Sequence, residues 1–243
     1  MLDSHFRPDN FGILPNIFGF SSYALFVGLG ITLGLSYYLL DARTRNVKGE
    51  GVIEIVSSGL IFGLIGSKIP LILEGGDLES ILFGKSIVGG LVGGMLGVML
   101  VKRILGIKLR MGNIIAPAVA LGMSVGRIGC FLNGCCYGVE CAFGFDFGDG
   151  LSRFPAQLVE SGFHFIAFMI LHRLRRKEMR PGILFKWYVI SYFIFRFFIE
   201  FFRVNERIWL GLSVYQLICL IGILFVFGRM MVERRKGVET YGK

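Results

Sequence analysis

Seven long apolar segments, separated by short polar connections, constrain the fold of this chain more than any other feature. The chain has 243 residues, of which 54% are hydrophobic and 18% charged. An α-helix needs about 20 apolar residues to cross a bilayer, and glycine is common where membrane helices pack closely. We therefore predict an all-α integral membrane protein with about seven transmembrane helices, in a single domain over residues 1–243. The predicted segments are Tyr23–Leu40, Val52–Leu73, Ile87–Val101, Ile114–Leu132, Ala156–Leu171, Ile183–Phe202 and Val214–Phe227.

The lysines and arginines are distributed unequally between the two sides of the predicted bundle. If the N-terminus lies outside, seventeen of them fall in inner segments and seven in outer ones. Cytoplasmic loops of membrane proteins carry the excess of basic residues, so the sequence predicts an external N-terminus and a cytoplasmic C-terminus. The formal net charge of +9 then belongs to loops that face anionic lipid headgroups, and we expect no nucleic acid partner.

The thirteen residues from Gly126 to Gly138, GRIGCFLNGCCYG, are the strongest candidate for a site. An arginine at the end of a membrane helix is costly unless it meets an anion or water. A guanidinium binds phosphate through two parallel hydrogen bonds, and an amide can orient ester oxygens. We predict that Arg127 and Asn133, with Gly126 and Gly129 allowing close approach, bind a phosphate-bearing ligand. The alternative is that Arg127 extends to the interface or pairs with a carboxylate.

A second candidate site lies in the sixth predicted span, in the sequence YFIFRFFIEFFR. Spacings of four and three residues place Arg196, Glu200 and Arg203 on one stripe of a helix, with phenylalanines around the remainder. Two cations and one anion that face a polar interior suit a phosphodiester. The alternative is a structural ion pair between Arg196 and Glu200, which leaves Arg203 without a role.

Two further polar residues lie near the start of the fifth predicted span. Pro155 suits the first turn of a helix, and Gln157 and Glu160 follow it three residues apart on one face. We predict that both belong to the site around Arg127, with Glu160 as a partner of that arginine. Stabilisation of the positive end of the helix is the alternative role for Glu160.

Four cysteines follow one another closely near the end of the fourth span, with the spacing C-x4-C-C-x4-C. Cys130, Cys135, Cys136 and Cys141 would lie in an oxidising compartment. Their candidate roles are a structural disulfide, a nucleophilic thiol activated by Arg127, a metal site or simple packing. Because the spacing differs from the common zinc motifs, we predict no metal and no cofactor, and we consider a thiol role for Cys135 or Cys136.

The stretch GRIGCFLNG from Gly126 to Gly134 resembles the signature of the bacterial prolipoprotein diacylglyceryl transferases. The resemblance extends over nearly the whole chain, and seven spans with an external N-terminus are the topology of that family. Further matching positions are Tyr23, the segment Gln157–Glu160, the residues Arg196, Glu200 and Arg203, and Gln216 in the last span.

The resemblance implies a phospholipid-dependent transferase of the bacterial cytoplasmic (inner) membrane, with its active site toward the outer face. The family moves the diacylglyceryl group of phosphatidylglycerol to the thiol of the lipobox cysteine in a prolipoprotein and releases glycerol phosphate. Phosphatidylglycerol, or a related anionic phospholipid, and the signal-peptide region of a prolipoprotein are therefore the expected partners. The implied catalytic residues are Arg127, Arg196, Glu200 and Arg203. The implied substrate-binding residues are Tyr23, Gly126, Gly129, Asn133, Gln157 and Glu160.

Three positions depart from the family pattern. Val88 stands where the family has a histidine, Cys130 where it has an asparagine, and Cys135 where it has a glutamate. These departures remove groups that help to ionise the acceptor thiol. Three interpretations remain open: a diacylglyceryl transferase or a paralogue with a different acceptor, a non-catalytic lipid-binding membrane protein, and an enzyme in which Cys135 or Cys136 is an internal nucleophile.

Overall fold

The protein is mostly helical, and a helix occupies each of the seven predicted apolar segments. Its structure is a computed structural model that describes residues 11–44, 51–75, 78, 81, 86–177 and 179–235. The elements are β1 (Asn16–Ile17), β2 (Phe20–Ser21), α1 (Ser22–Thr44), α2 (Val52–Gly66), α3 (Ile69–Leu73), α4 (Ile87–Ile104), α5 (Gly112–Leu132), β3 (Glu140–Asp146), β4 (Ser152–Arg153), α6 (Ala156–Leu174), α7 (Ile183–Ile199), a 3-10 turn (Glu200–Phe202) and α8 (Val214–Arg235). Within the described residues, the helices long and apolar enough to cross a membrane are five: Ser22–Arg43, Val52–Leu73, Ile87–Ile104, Gly112–Leu132 and Val214–Glu233.

Two short antiparallel hairpins correct the all-α prediction. β1 pairs with β2 before the first long helix, and β3 pairs with β4 between α5 and α6. The second hairpin closes through Asp146, whose Oδ1 accepts hydrogen bonds from the N–H groups of Gly148 at 2.8 Å and Gly150 at 3.0 Å. These hydrogen bonds, that of Gly148 first, lower the pKa of the Asp146 carboxyl. The turn therefore stabilises strands that lack the apolar alternation by which strands are recognised in a sequence.

The chain divides into two compact units. Unit 1 comprises Met1–Arg45, Gly112–Met179 and Phe201–Val204, and unit 2 comprises the remaining segments Asn46–Met111, Arg180–Glu200 and Asn205–Lys243. The single domain over residues 1–243 stays a prediction. The orientation of the termini relative to the membrane stays a prediction too, and residues 1–10 and 236–243 lie outside the described residues.

Glycines bring α1 and α5 of unit 1 into backbone contact. A Cβ atom added to Gly30 would lie 2.5 Å from the carbonyl oxygen of Gly122, and one added to Gly34 would lie 2.8 Å from that of Ala118. The spacing of four residues on both helices is the small-residue pattern of membrane helix pairs. This contact positions α5, which carries Arg127.

Glycines have the same role between α2 and α4 of unit 2. A Cβ atom added to Gly66 would lie 2.6 Å from the carbonyl oxygen of Gly89 and 2.7 Å from the Cα atom of Gly93. α4 begins after Ser86, whose hydroxyl oxygen accepts a hydrogen bond of 3.3 Å from the N–H of Gly89. α7 and α8 pack on each other in the same unit, and their ends carry the polar residues described below.

Candidate active site

Arg127 and Glu160 form a buried ion pair between α5 and α6 of unit 1. Pro155 is the N-cap residue of α6 rather than part of its first turn. The structure therefore places Glu160 beside Arg127 as predicted. The same ion pair is also what the alternative hypothesis expects, in which the arginine pairs with a carboxylate. Its binding of phosphate stays a prediction. His164 is a further polar residue of α6, completely buried one turn after Glu160. The histidine four residues after a glutamate was the signal for it in the sequence.

Gln157 holds the turn that follows α5. Its side chain is completely buried, and its Nε2 donates a hydrogen bond of 2.7 Å to the carbonyl oxygen of Cys135. The turn contains two left-handed residues, Gly134 with φ 67° and Cys136 with φ 65°. Glycine adopts this conformation readily, whereas a cysteine does so only where its surroundings hold it. The polar start of α6 therefore fixes the backbone around the cysteines.

The two signature glycines face helix α1. A Cβ atom added to Gly129 would lie 3.2 Å from the carbonyl oxygen of Ser22 and 3.4 Å from the Cα atom of Tyr23. Gly126 has more room, since its added Cβ atom would be 4.0 Å from the side chain of Val27. Gly129 is thus required for helix packing, and the predicted ligand contact of both glycines remains a prediction.

Asn133, the amide of the signature, lies at the end of α5 beside the first hairpin. Its Oδ1 accepts a hydrogen bond of 3.2 Å from the hydroxyl of Ser21, at an exposed position. The amide nitrogen is therefore oriented by this contact, as a group that binds ester oxygens requires. The contact connects the signature to the residues just before α1.

Three cysteine thiols meet beside Arg127. A guanidinium nitrogen of Arg127 lies 3.7 Å from the Sγ atom of Cys130. The thiol of Cys135 donates a hydrogen bond of 3.5 Å to the carbonyl oxygen of Cys130, and Cys136 follows directly in the chain. In the described chain all three are free thiols. The hydroxyl of Tyr23 interacts electrostatically with the same three thiols and with Arg127. The structure thus brings together most of the residues predicted for this site.

Arg203 lies beyond the end of α7, which corrects the predicted stripe of three charged residues. The helix is followed by the 3-10 turn Glu200–Phe202. The carbonyl oxygen of Phe202 accepts a hydrogen bond of 2.9 Å from the N–H of Val139, and Arg203 forms an antiparallel bridge with Gly138. These backbone groups pair within unit 1 instead of continuing the helix. The stripe is therefore wrong for Arg203, which is buried in unit 1.

The surroundings of Cys136 favour its thiolate form. Hydrogen bonds with the thiols of Cys130 and Cys135, together with the positive charges of Arg203 and Arg127, lower the pKa of Cys136 well below its usual value. The hydrogen bonds of Cys135 with the other two thiols raise its own pKa.

A second buried ion pair joins Arg196 and Glu200 in unit 2. The Oε1 atom of Glu200 accepts hydrogen bonds of 2.7 Å from Asn205 Nδ2 and 2.7 Å from Ser213 Oγ. The guanidinium of Arg196 also lies over the ring of Tyr215, 5.3 Å from its centroid. The structure therefore contains the Arg196–Glu200 ion pair that the alternative hypothesis expects. The further contacts hold both side chains in fixed orientations.

The sequence analysis did not identify some of the polar residues around the Arg196–Glu200 pair. Arg207 donates hydrogen bonds to the Oε1 of Gln216 at 2.8 Å and to the carbonyl oxygen of Glu200 at 3.0 Å. Ser213 and Gln216 form a capping box at the start of α8, in which each side chain accepts a hydrogen bond from the other's backbone N–H. The pattern Ser-x-x-Gln before an apolar run was the available signal. Nothing in the sequence indicated Asn205 or Arg207.

The fold and the two buried arginine–glutamate pairs define a helical membrane protein with an ionisable interior. Such residues inside membrane helices mark functional sites. The chain belongs to the prolipoprotein diacylglyceryl transferase family, whose family model matches residues 12–232. This match confirms the resemblance inferred from the sequence.

Relatives in several bacteria resemble the chain over most of its length. A protein of Clostridium perfringens named phosphatidylglycerol–prolipoprotein diacylglyceryl transferase 2 is 31% identical over 249 aligned positions, which cover 92% of this chain and 97% of the relative. The phosphatidylglycerol–prolipoprotein diacylglyceryl transferase of Clostridium tetani is 31% identical over 80% of this chain and 86% of its own length. That of Bacillus velezensis is 29% identical over 88% of each chain.

Proposed function

We propose that the protein transfers the diacylglyceryl group of phosphatidylglycerol to the cysteine thiol of a prolipoprotein. The observation that carries the proposal is the buried Arg127–Glu160 pair beside the thiol of Cys130, in a chain that belongs to this family over residues 12–232. In the reaction the acceptor thiolate attacks the glycerol carbon that bears the phosphate ester. A carbon–sulfur bond forms, the carbon–oxygen bond breaks, and glycerol phosphate leaves.

The buried arginines stabilise the departing phosphate group. Negative charge grows on the phosphate oxygen as its bond to carbon breaks, and guanidinium groups stabilise that charge through charge-assisted hydrogen bonds. The proposal assigns this role to Arg127, Arg196 and Arg203. Glu160 and Glu200 hold two of the guanidinium groups in orientation. The substrate-binding residues of the proposal are Tyr23, Gly126, Gly129, Asn133, Gln157 and Glu160.

The proposed orientation has seven spans, the N-terminus outside and the C-terminus in the cytoplasm. The excess of basic residues in the inner segments supports it. The ends of α5 and α6 that carry Arg127 and Glu160 then lie toward the outer face of the bacterial cytoplasmic membrane. Phosphatidylglycerol reaches this site from the bilayer, and the signal-peptide region of the prolipoprotein presents the acceptor thiol.

A transfer assay tests the function. The purified protein is reconstituted in vesicles that contain phosphatidylglycerol and is incubated with a lipobox peptide, and mass spectrometry follows the peptide. We expect the peptide to gain one diacylglyceryl group. A peptide with serine in place of the cysteine, and vesicles of phosphatidylcholine alone, are the controls and should give no product. An unmodified cysteine peptide in phosphatidylglycerol vesicles would refute the proposal.

A non-catalytic lipid-binding protein is the second candidate, which Val88 favours, and a paralogue with a different acceptor is a further alternative. Val88 is buried in α4, at the position where the family pattern has a histidine. The assay separates these candidates, because a different acceptor leaves the lipobox peptide unmodified while bacterial membranes still support release of glycerol phosphate. A non-catalytic lipid-binding protein would release none in either case.

A further inference from the structure

The C-terminal ends of α4 and α8, both in unit 2, enclose a cavity with two chemically different walls. Its volume is about 440 Å³, within the range of small-molecule sites. Three apolar residues and three cations line it: Leu96, Met99, Leu100, Lys102, Arg103 and Arg229. We propose that this cavity binds an anionic phospholipid, whose phosphate meets the three cations while an acyl chain lies along the apolar residues.

The apolar wall is one stripe of helix α4. Counted from Leu96, the residues Met99, Leu100 and Arg103 follow at positions three, four and seven, so the four side chains share one helical face. Leu96 is 45% exposed and Leu100 is 48% exposed. At 1.5 Å per residue, the stripe extends about 10 Å along the helix and ends at Arg103. A phospholipid has the same order of parts, with an apolar chain that ends at a charged headgroup.

The charged wall combines the last turn of α4 with α8. The ammonium group of Lys102 donates a hydrogen bond to the carbonyl oxygen of Leu109, and the carbonyl oxygen of Lys102 accepts one of 3.0 Å from the N–H of Ile107. These contacts hold Lys102 at the cavity. Arg103 is exposed, and the side chain of Arg229 is 49% exposed. Cations that line one cavity repel one another, and a phosphate among them replaces that repulsion with charge-assisted hydrogen bonds.

An acidic neighbour reduces the positive charge of this wall only in part. Glu233 lies one helical turn after Arg229, with 3.6 Å between their charged atoms, and it also accepts a hydrogen bond from Lys186. Its single negative charge is therefore shared by two cations, while Lys102 and Arg103 contribute two more. No acid is among the six described residues that line the cavity. A net positive charge remains for an anionic headgroup.

The cavity is separate from the polar groups at the other ends of the same helices. On α4, Val88 precedes Arg103 by fifteen residues. Ser213, which donates a hydrogen bond to Glu200, precedes Arg229 by sixteen. At 1.5 Å per residue these separations are about 22 Å and 24 Å, compared with a hydrocarbon core of about 30 Å. In the proposed orientation the cavity therefore faces the cytoplasmic leaflet, and basic pockets between membrane helices on that side bind anionic headgroups.

Cations that only extend into the headgroup region are the alternative. Lysines and arginines at the ends of membrane helices do so in general, and they attract anionic lipids without a defined site. The two cases differ in stoichiometry and in position. A cavity binds one lipid and depends on Arg103 and Arg229, whereas diffuse attraction depends only on how many cations face the inner leaflet.

The test counts phosphatidylglycerol molecules bound to the purified protein by native mass spectrometry in detergent. Arg103→Gln/Arg229→Gln removes two cations of the cavity, and the matched control Arg43→Gln/Arg173→Gln removes two exposed arginines of other inner segments. We expect the cavity variant to bind one lipid fewer than the wild type at concentrations that saturate the site, with the affinity there lowered about 30-fold. The control should match the wild type. Equal lipid binding by the two variants overturns the proposal.

A single substitution covers the case in which the double variant fails to fold. Arg229 is exposed, so Arg229→Gln should fold, and it should weaken binding at the site about fivefold. Arg103→Lys/Arg229→Lys keeps both charges and should keep most of the affinity. An unchanged affinity in Arg229→Gln overturns the proposal.

Two further ligands distinguish a lipid from a soluble anion. Phosphatidylcholine tests the need for net negative charge, and free glycerol phosphate tests the need for an acyl chain. Neither should raise the melting temperature of the wild type above that of the cavity variant, whereas phosphatidylglycerol should. A rise of equal size with glycerol phosphate would assign the cavity to a soluble anion and overturn the lipid. Failure of the wild type to modify a lipobox peptide would refute the proposed function and leave the lipid count unchanged.

Discussion

The guanidinium of Arg127 contacts the carboxylate of Glu160 and the thiol of Cys130 at the same time. Burying either charge of an ion pair is costly unless its partner is present. A phosphate bound at this place would share the cation with Glu160. The same pair can therefore stabilise the protein without ligand and hold the guanidinium ready for one.

Replacing Glu160 with glutamine removes the carboxylate that accompanies Arg127. We expect the free energy of unfolding to fall by about 3–5 kcal/mol, since the remaining charge stays buried. The double variant Arg127→Gln/Glu160→Gln should lose less than the sum of the two single variants, measured by denaturation in detergent micelles. Val159→Ala, at an exposed position of the same helix, is the control. Additive losses would contradict the pairing.

Ser213 has two hydrogen-bonding roles where Asn205 has one. Each donates to the carboxylate of Glu200, a bond worth about 1.5–3 kcal/mol to a charged group. Ser213 also caps α8, which adds about 1 kcal/mol. Ser213→Ala should therefore destabilise the protein more than Asn205→Ala in the same denaturation experiment. Equal losses would show that the cap contributes nothing.

At the scale of the elements, the glycine contact between α1 and α5 decides how close the two helices lie. Gly30→Ala places a methyl group 2.5 Å from the carbonyl oxygen of Gly122. Since backbone cannot move away cheaply, we expect a loss of about 1–3 kcal/mol and a lower melting temperature. Gly28→Ala on the same helix has no atom within 4 Å of the new methyl group and is the matched control. A melting temperature unchanged by both variants would refute the close contact.

The position at which helix α7 ends is determined by backbone pairing with another segment of the chain. The phenylalanine-rich run continues through Phe202 without a proline or glycine, so helical propensity alone would carry the helix further. The pairing of Phe202 and Arg203 with Val139 and Gly138 ends it instead. This pairing holds Arg203 beside Gly138, two residues after Cys136.

At the scale of the whole molecule, the proposed orientation can be measured by labelling. In a variant without native cysteines, a cysteine at Phe143, which is 93% exposed in β3, should react with a membrane-impermeant maleimide in intact cells. A cysteine at the exposed Arg176, after α6, should react only once the membrane is permeabilised. Labelling with the reverse pattern would invert the proposed orientation.

The positions of the helices and the family follow from the chain alone. Apolar runs must form helices inside a bilayer, because a membrane offers no water to unpaired backbone groups. The seven segments therefore matched helices, with bounds that differ by a few residues at their ends. The spacing from Gln157 to Glu160 likewise predicted that both side chains lie on one face of a helix, because three residues are nearly one helical turn.

The composition of the site depended on contacts between residues far apart in the chain. The spacing of the charges predicts Arg203 on a helix, whereas the residue lies beside Gly138. The spacing of the cysteines left disulfide, metal, nucleophile and packing roles open, whereas folding brings Cys130, Cys135 and Cys136 together as thiols beside Arg127. Local sequence sets the helical period and its apolar face. Which distant backbone groups pair, and which charges share a buried space, depends on how the elements pack.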